Sequence, residues 1–236
     1  MFEPQSTAFA KNPYGYYADL RKLDEPFFYE RADAYLLARY IDVEAAARNP
    51  RLVRSLEAFM DPDYVKAQQR ARNWHDMPNH ERFVQFSLLE RDDNTHFRLR
   101  VIVLRALSRR FVEQQRSMIE AYVDLLLDQL LQHREFDFVE DLASHVPGHI
   151  IGHLLGVPIE DCPQLRVWSE NIVQFFDVGR TEEHKLLAEN ATTEFYFYLS
   201  DLIADRRKKP QEDLISSLVA AQDAGEMNES ELISTC

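Results

Sequence analysis

The stretch Asp92-Asp-Asn-Thr-His96-Phe-Arg98-Leu-Arg100-Val-Ile-Val-Leu-Arg105-Ala-Leu107 most constrains what this chain folds into. On a helical wheel at about 100° per residue, Leu99, Val103, Leu104 and Leu107 fall on one broad apolar arc, with His96 and Arg100 in its middle. Arg98, Arg105 and Arg109 line the opposite side, which reads as a solvated face. An inward arginine keeps its charge, and burying it without an anion is costly. Two readings fit: Arg100 pairs with one of the chain's own carboxylates, or His96 and Arg100, one turn apart, grip an anionic ligand. The spacing alone does not choose.

A length of 236 residues suffices for one substantial core or two small ones. The 45% hydrophobic and 28% charged content is that of a soluble globular protein. A formal charge of −13 argues against a general nucleic-acid binder, which needs a basic surface for phosphates. No apolar run reaches the roughly 20 residues of a membrane span, and no signal peptide opens the chain, so no membrane partner is expected. Two cysteines, Cys162 and Cys236, form no disulfide framework, and a reducing cytoplasm is the expected setting.

Helical periodicity covers most of the rest. Asn12 opens a short helix with Pro13 in its first turn. Phe27–Tyr29 and Tyr35–Leu37, around Arg31-Ala-Asp33, predict a β-hairpin, the one clear β signal. Asp42 is placed to cap Val43–Arg48. Residues 56–91 read as irregular and aromatic, with one polar helix between Tyr64 and Trp74 and turns at Asp61-Pro-Asp63 and Met77-Pro-Asn79. Such a segment is either a functional loop or a covering flap.

A single helix is expected over Phe111–His133, buried along Ile119, Tyr122, Val123, Leu126 and Leu130, and another over Ala143–Leu155, stopped by Gly156. On the latter, Gly148, Gly152 and Gly156 offer a close helix approach. His145, His149 and His153 span too far, about 12 Å, for one ion and read as structural; no metal site is expected. Asp161 and Thr181 open two further helices, with a break at Gly179, and Arg206–Lys209 suit the second helix's C-terminal dipole. Asp213 to Gln222 forms another. Asn228 or Ser230 caps a last helix that stops at Cys236, so that the chain reads as ending at the beginning of an element, a helix too short to be stable alone.

The order of these features resembles the N-terminal half of a soluble, bacterial-type cytochrome P-450, a haem-thiolate monooxygenase. The resemblance is carried by Arg39-Tyr-Ile-Asp-Val43, Asn49-Pro-Arg-Leu52, His96-Phe-Arg-Leu-Arg100, Phe136-Asp-Phe-Val-Glu-Asp-Leu142, Leu154-Leu-Gly-Val-Pro158 and Asp213-Leu-Ile-Ser-Ser-Leu218, in order and spacing. It implies a mainly α fold with a small N-terminal β-hairpin, a single incomplete domain over 1–236 truncated at the start of the long central helix. It implies that His96 and Arg100 bind the propionates of haem b. The family's Asp-Pro-Pro before this pair is Asp92-Asp93-Asn94 here.

By the same resemblance, residues 56–91 form a substrate-recognition region and residues 161–208 lid helices. Phe83, Phe86, Leu88, Ile172, Phe175 and Phe176 are candidate pocket residues for a small organic substrate, against the plainer reading as core. Arg98, Arg105 and Arg109 form a candidate face for a ferredoxin-type electron donor. The family's Phe-x-x-Gly-x-x-x-Cys-x-Gly loop, its Glu-x-x-Arg helix and its acid–alcohol pair are absent, so no catalytic residue is assigned and neither cysteine is the haem ligand. The expectation is a fragment of the monooxygenase, inactive alone. The alternatives are a non-catalytic remnant acting as a binding or partner protein, or an unrelated helical regulator.

Overall fold

A computed structural model describes residues 2–54, 60–71, 73–133, 135–177 and 180–236. Among them the chain is mainly α with one two-stranded antiparallel sheet. Two compact units emerge, Met1–Arg54 and Ser55–Cys236.

In the first unit, helix α1 (Thr7–Lys11) is capped by Ser6, and α2 (Pro13–Leu20) by the Asn12 side chain. Strands β1 (Phe27–Tyr29) and β2 (Ala34–Leu36) pair Phe28 with Tyr35. Their turn closes through Asp33 at φ 48°, a left-handed conformation that aspartate tolerates. Phe2 packs edge-on against Phe9 and Tyr29. Helix α3 (Tyr40–Ala47) starts earlier than predicted. Asp42 does not cap it: its carboxylate is held by Arg39 at 2.6 Å, inside the first turn where negative charge suits the dipole.

The second unit begins with α4 (Pro62–Ala71) and α5 (Pro78–Phe86). The second of these corrects the irregular reading of 56–91: Pro78 stands at the first helical position, where its missing N–H costs nothing. Residues 56–59 and 72, and the break expected at Gly179, lie outside the described residues. After α6 (Asp93–Ala106), the single helix expected over 111–133 divides into α7 (Arg109–Gln114) and α8 (Arg116–Leu130). Ser108 caps α7, and the Gln115 side chain turns back onto the Phe111 carbonyl at the break.

Helices α9 (His145–Leu155), α10 (Cys162–Val173), α11 (Glu182–Lys208), α12 (Leu214–Asp223) and α13 (Glu229–Thr235) complete the chain. Thr181 caps α11 where the sequence opens that helix, and Asp213, read as the first residue of the next one, caps α12. Asp161 instead accepts the Tyr198 hydroxyl at 2.8 Å, and burial, then this bond, pushes that phenol up. Of the glycine row, Gly152 serves close approach, since an added Cβ would meet the Cys162 sulfur; around Gly148 the space is open. His149 stacks on Tyr122, ring centroids 3.5 Å apart.

The core joins Leu99 and Ile102 of α6, Leu199 and Ile203 of α11, Ile215 and Leu218 of α12, and Leu232 and Ile233 of α13. The last helix is therefore packed, not marginal: Leu232 and Ile233 are fully buried, and Asn228 and Glu231 form a capping box. Three helix ends meet at one buried ion pair. Arg206 Nε donates to Asp213 at 2.5 Å, its Nη2 to the Gly156 carbonyl, while Asp213 accepts the Ser216 N–H at 2.7 Å. Gly156 sits at φ 86°, and a Cβ there would collide with the Asp213 carboxylate. Arg206, expected to suit the helix dipole, keeps that place in the last turn and is also an internal tie.

Removing one partner of a buried pair strands the other charge. Arg206→Met is expected to lower unfolding free energy by about 3–5 kcal/mol, and adding Asp213→Asn to restore part of it. Urea titration followed by circular dichroism checks this; a single-variant loss below about 1 kcal/mol, the range of an exposed pair, contradicts it. Glu231→Ala removes both a cap and the Arg98 partner described below. Its expected cost is about 2–4 kcal/mol, read the same way.

Candidate functional site

Helix α6 is rotated relative to the wheel. Its buried stripe is Leu99 and Ile102, flanked by half-buried Ala106, while Leu104 is 56% exposed and Phe97 69%. Arg98 and Arg105 therefore lie beside the core, not opposite it, and their reading as a free solvated face is corrected. Arg98 donates to Glu231 at 2.5 Å and to the Glu226 carbonyl at 2.5 Å, and Arg105 pairs with Glu226. Burial pushes the Glu231 carboxyl up, but the Arg98 hydrogen bond and the Asn228 N–H outweigh it and hold the group below the usual carboxylate range. Arg109 is exposed and pairs within its helix with Glu113 at 2.7 Å.

The His96–Arg100 face is the opposite one. Arg100 is exposed and makes no hydrogen bond or ion pair among the described residues, so the reading of an internal carboxylate partner finds none there. Around it stand exposed Phe97, Val101 and Leu104. His96 is half-buried, its Nδ1 3.1 Å from the Leu88 carbonyl. A carbonyl only accepts, so Nδ1 carries the proton and Nε2 is turned away from that bond. The result is one fixed imidazole and one unpaired cation, a turn apart on an uncovered apolar strip. This arrangement suits an amphipathic ligand with anionic groups.

A second concavity, of about 590 Å³, lies among α5, α9, α10 and α11, lined by Phe83, Ile151, Leu165, Ile172, Phe195 and Cys236 among others. Of the predicted pocket residues it gathers Phe83 and Ile172. The other four are elsewhere. Phe175 is fully buried with Met77 and Ala188, and Phe176 lies against Trp74 and His80. Phe86 receives the Arg91 guanidinium at 5.0 Å, and Leu88 packs on the main core. Phe195, Leu165 and Ile151 went unassigned because on amphipathic helices they read as core.

The histidine row brings no metal-holding group together among the described residues. Burial, then the Asp213 charge, pushes the Cys236 thiol up to about 12, and burial with Asp161 raises Cys162. Both cysteines resist becoming thiolates.

No family model matches the chain. Curated relatives match along nearly all of it. It is 31% identical to polyketide biosynthesis cytochrome P450 PksS of Bacillus subtilis (strain 168), over 99% of this chain and 56% of that protein. It is 32% identical to cytochrome P450 107B1 of Saccharopolyspora erythraea, over 96% of this chain and 54% of that protein. The chain spans about half the length of the curated relatives it matches. Among solved structures, CalO2 superposes with a TM-score of 0.84 at 26% identity, covering 99% of this chain and 56% of that one. The epothilone B-bound cytochrome P450epoK gives 0.86 at 25%, covering 100% and 58%. The chain belongs to the cytochrome P450 family and matches the N-terminal part of its fold.

Proposed function

We propose that this chain is part of a haem-thiolate monooxygenase that inserts oxygen into a small organic substrate, and that α6 is its propionate-binding wall for haem b. The observation that carries this reading is Arg100, an unpaired guanidinium one turn from His96 on an otherwise apolar exposed strip. The residues fit the group: a planar, hydrophobic dianion asks for apolar contact beside two cationic or N–H donors. Arg100 would bind one carboxylate, and His96, oriented by the Leu88 carbonyl, would stand beside the other.

Bound haem supplies the iron centre for oxygen chemistry, which the family sustains with a cysteine thiolate. Neither cysteine of these 236 residues stands in the thiolate loop pattern, and both thiols are raised. The thiolate role is therefore assigned to neither Cys162 nor Cys236. Phe83, Ile172 and Phe195 would hold an apolar substrate body, with α10 and α11 as the covering lid. A ferredoxin-type donor would find Arg109 on the surface, while Arg98 and Arg105 are committed to Glu231 and Glu226. No helix among the described residues is long and apolar enough to cross a membrane.

Hemin titration followed by absorbance tests the wall. Arg100→Glu is expected to weaken binding about 10–100-fold, as loss of a charge-assisted contact does, and His96→Ala by about 10-fold. A reduced, CO-treated sample of the 236-residue chain is expected to lack the thiolate-type Soret band. Unchanged affinity in both variants, or that band appearing, defeats the respective claim.

A further inference from the structure

Away from α6, the segment from Trp74 to Phe86 is fastened to α11 by contacts that the proposed chemistry does not use. Glu189 of α11 accepts the N–H groups of Asn79 at 3.1 Å and His80 at 3.0 Å, closing the N-terminus of α5. The Asn79 side chain donates to Thr193 at 2.8 Å. Beneath these bonds His80 and Thr192 are both fully buried.

Their protonation follows from geometry. Thr192 Oγ1 donates its single hydrogen to the Ala188 carbonyl at 2.7 Å. Across its 3.2 Å contact with His80 it therefore accepts, and His80 Nδ1 donates. Nε2 is left buried with no hydrogen-bond partner. Around the imidazole stand the rings of Trp74, Phe175 and Phe176, with centroids 5.6, 5.4 and 5.7 Å away. A second proton, on Nε2, would have no acceptor. Nor do the rings welcome another cation, because the Arg180 guanidinium already lies 5.2 Å over Phe175 and 5.8 Å over Trp74.

We propose that His80 is an acid-sensitive latch: neutral, it locks α5 against α11 and the Phe175 ring; protonated, it leaves its enclosure and releases the segment from Trp74 to Phe86. Phe83, one turn beyond His80, lines the cavity described above, so release opens one wall of that cavity. The charged groups facing the latch are few. From α11 they are Glu189, spent on two backbone N–H groups, and Lys185, which donates to Asn73. Glu182 accepts from Asn73, and Arg180 covers the rings. On the segment itself are the His75–Asp76 pair and Glu81, bonded to Gln69.

Burial lowers the His80 imidazole from the ordinary 6.5 to about 4. The closed form thus binds the proton less well than the released form. Its advantage is complete above about pH 6.5 and is lost as pH falls towards 4.

Hydrogen exchange by mass spectrometry on the 236-residue protein, corrected for intrinsic rates, tests this between pH 7.5 and 4.5. Protection of residues 73–86 is expected to fall by roughly fifty-fold or more, while α12 keeps its protection. His80→Asn keeps an amide donor for Thr192 but does not titrate, and is expected to flatten the profile. Glu189→Gln is expected to lower protection at every pH and retain the pH dependence. The latch is overturned if His80→Asn keeps the wild-type profile, if Glu189→Gln abolishes it, or if α12 opens at the same pH. Nitrogen NMR of the imidazole serves independently of any variant: a buried Nδ1–H neutral ring at pH 6 is expected, and a protonated one there refutes the proposal.

Discussion

The bond between Arg98 and Glu231 sets the rotation of α6, and with it the face that the helix offers outward. Glu231 is almost wholly buried, closes the capping box of α13 and receives two nitrogens of Arg98. Such a carboxylate needs its partner, because burial alone would raise it towards neutrality. With Arg98 held there, Leu99 and Ile102 turn into the core and Arg100 turns out. The same contact seats Leu232 and Ile233, so a seven-residue helix that would be unstable alone becomes part of the core.

This explains why the helix wheel of α6 misled on direction while succeeding on content. Leu99, Ile102, Val103, Leu104 and Ala106 surround most of the helix, and an amphipathic pattern identifies the buried face only when one side is polar. A helix placed between its own core and a second apolar surface carries two apolar arcs. The wheel picked the one containing His96 and Arg100, whereas the chain buries the other. The spacing of the pair is visible in sequence, because a histidine and an arginine one turn apart within apolar residues are unusual wherever the helix faces.

Caps were legible where the side chain had no better partner. Asn12, Thr181 and Asn228 all accept a backbone N–H where the sequence opens their helices. Asp42 and Asp161 look the same in sequence but bond Arg39 and Tyr198 instead. The Tyr198 contact lies 37 positions away, beyond any local pattern. The Arg206 ion pair is hidden in sequence for the same reason, its partners Asp213 and Gly156 being brought together by the fold. Neighbouring Phe175 and Phe176 read alike in sequence, yet in the 3-10 turn Gln174–Phe176 adjacent residues point about 120° apart, and one is buried while the other is 46% exposed.

The two faces of the second unit now differ in kind. Around Arg206 and Glu231 every buried charge has a partner, as a self-sufficient core requires. On the α6 strip a cation lacks one among the described residues, and apolar side chains as large as Phe97 and Leu104 are exposed. Scattered exposed hydrophobics need no explanation, but a contiguous strip carrying an unpaired guanidinium does. Both irregularities vanish together under a ligand that is apolar in body and anionic at one edge, whereas a purely apolar partner would remove only the exposed strip and a purely ionic one only the unpaired charge. That joint condition, more than the spacing of His96 and Arg100, is what the proposed propionate-bearing ligand would meet.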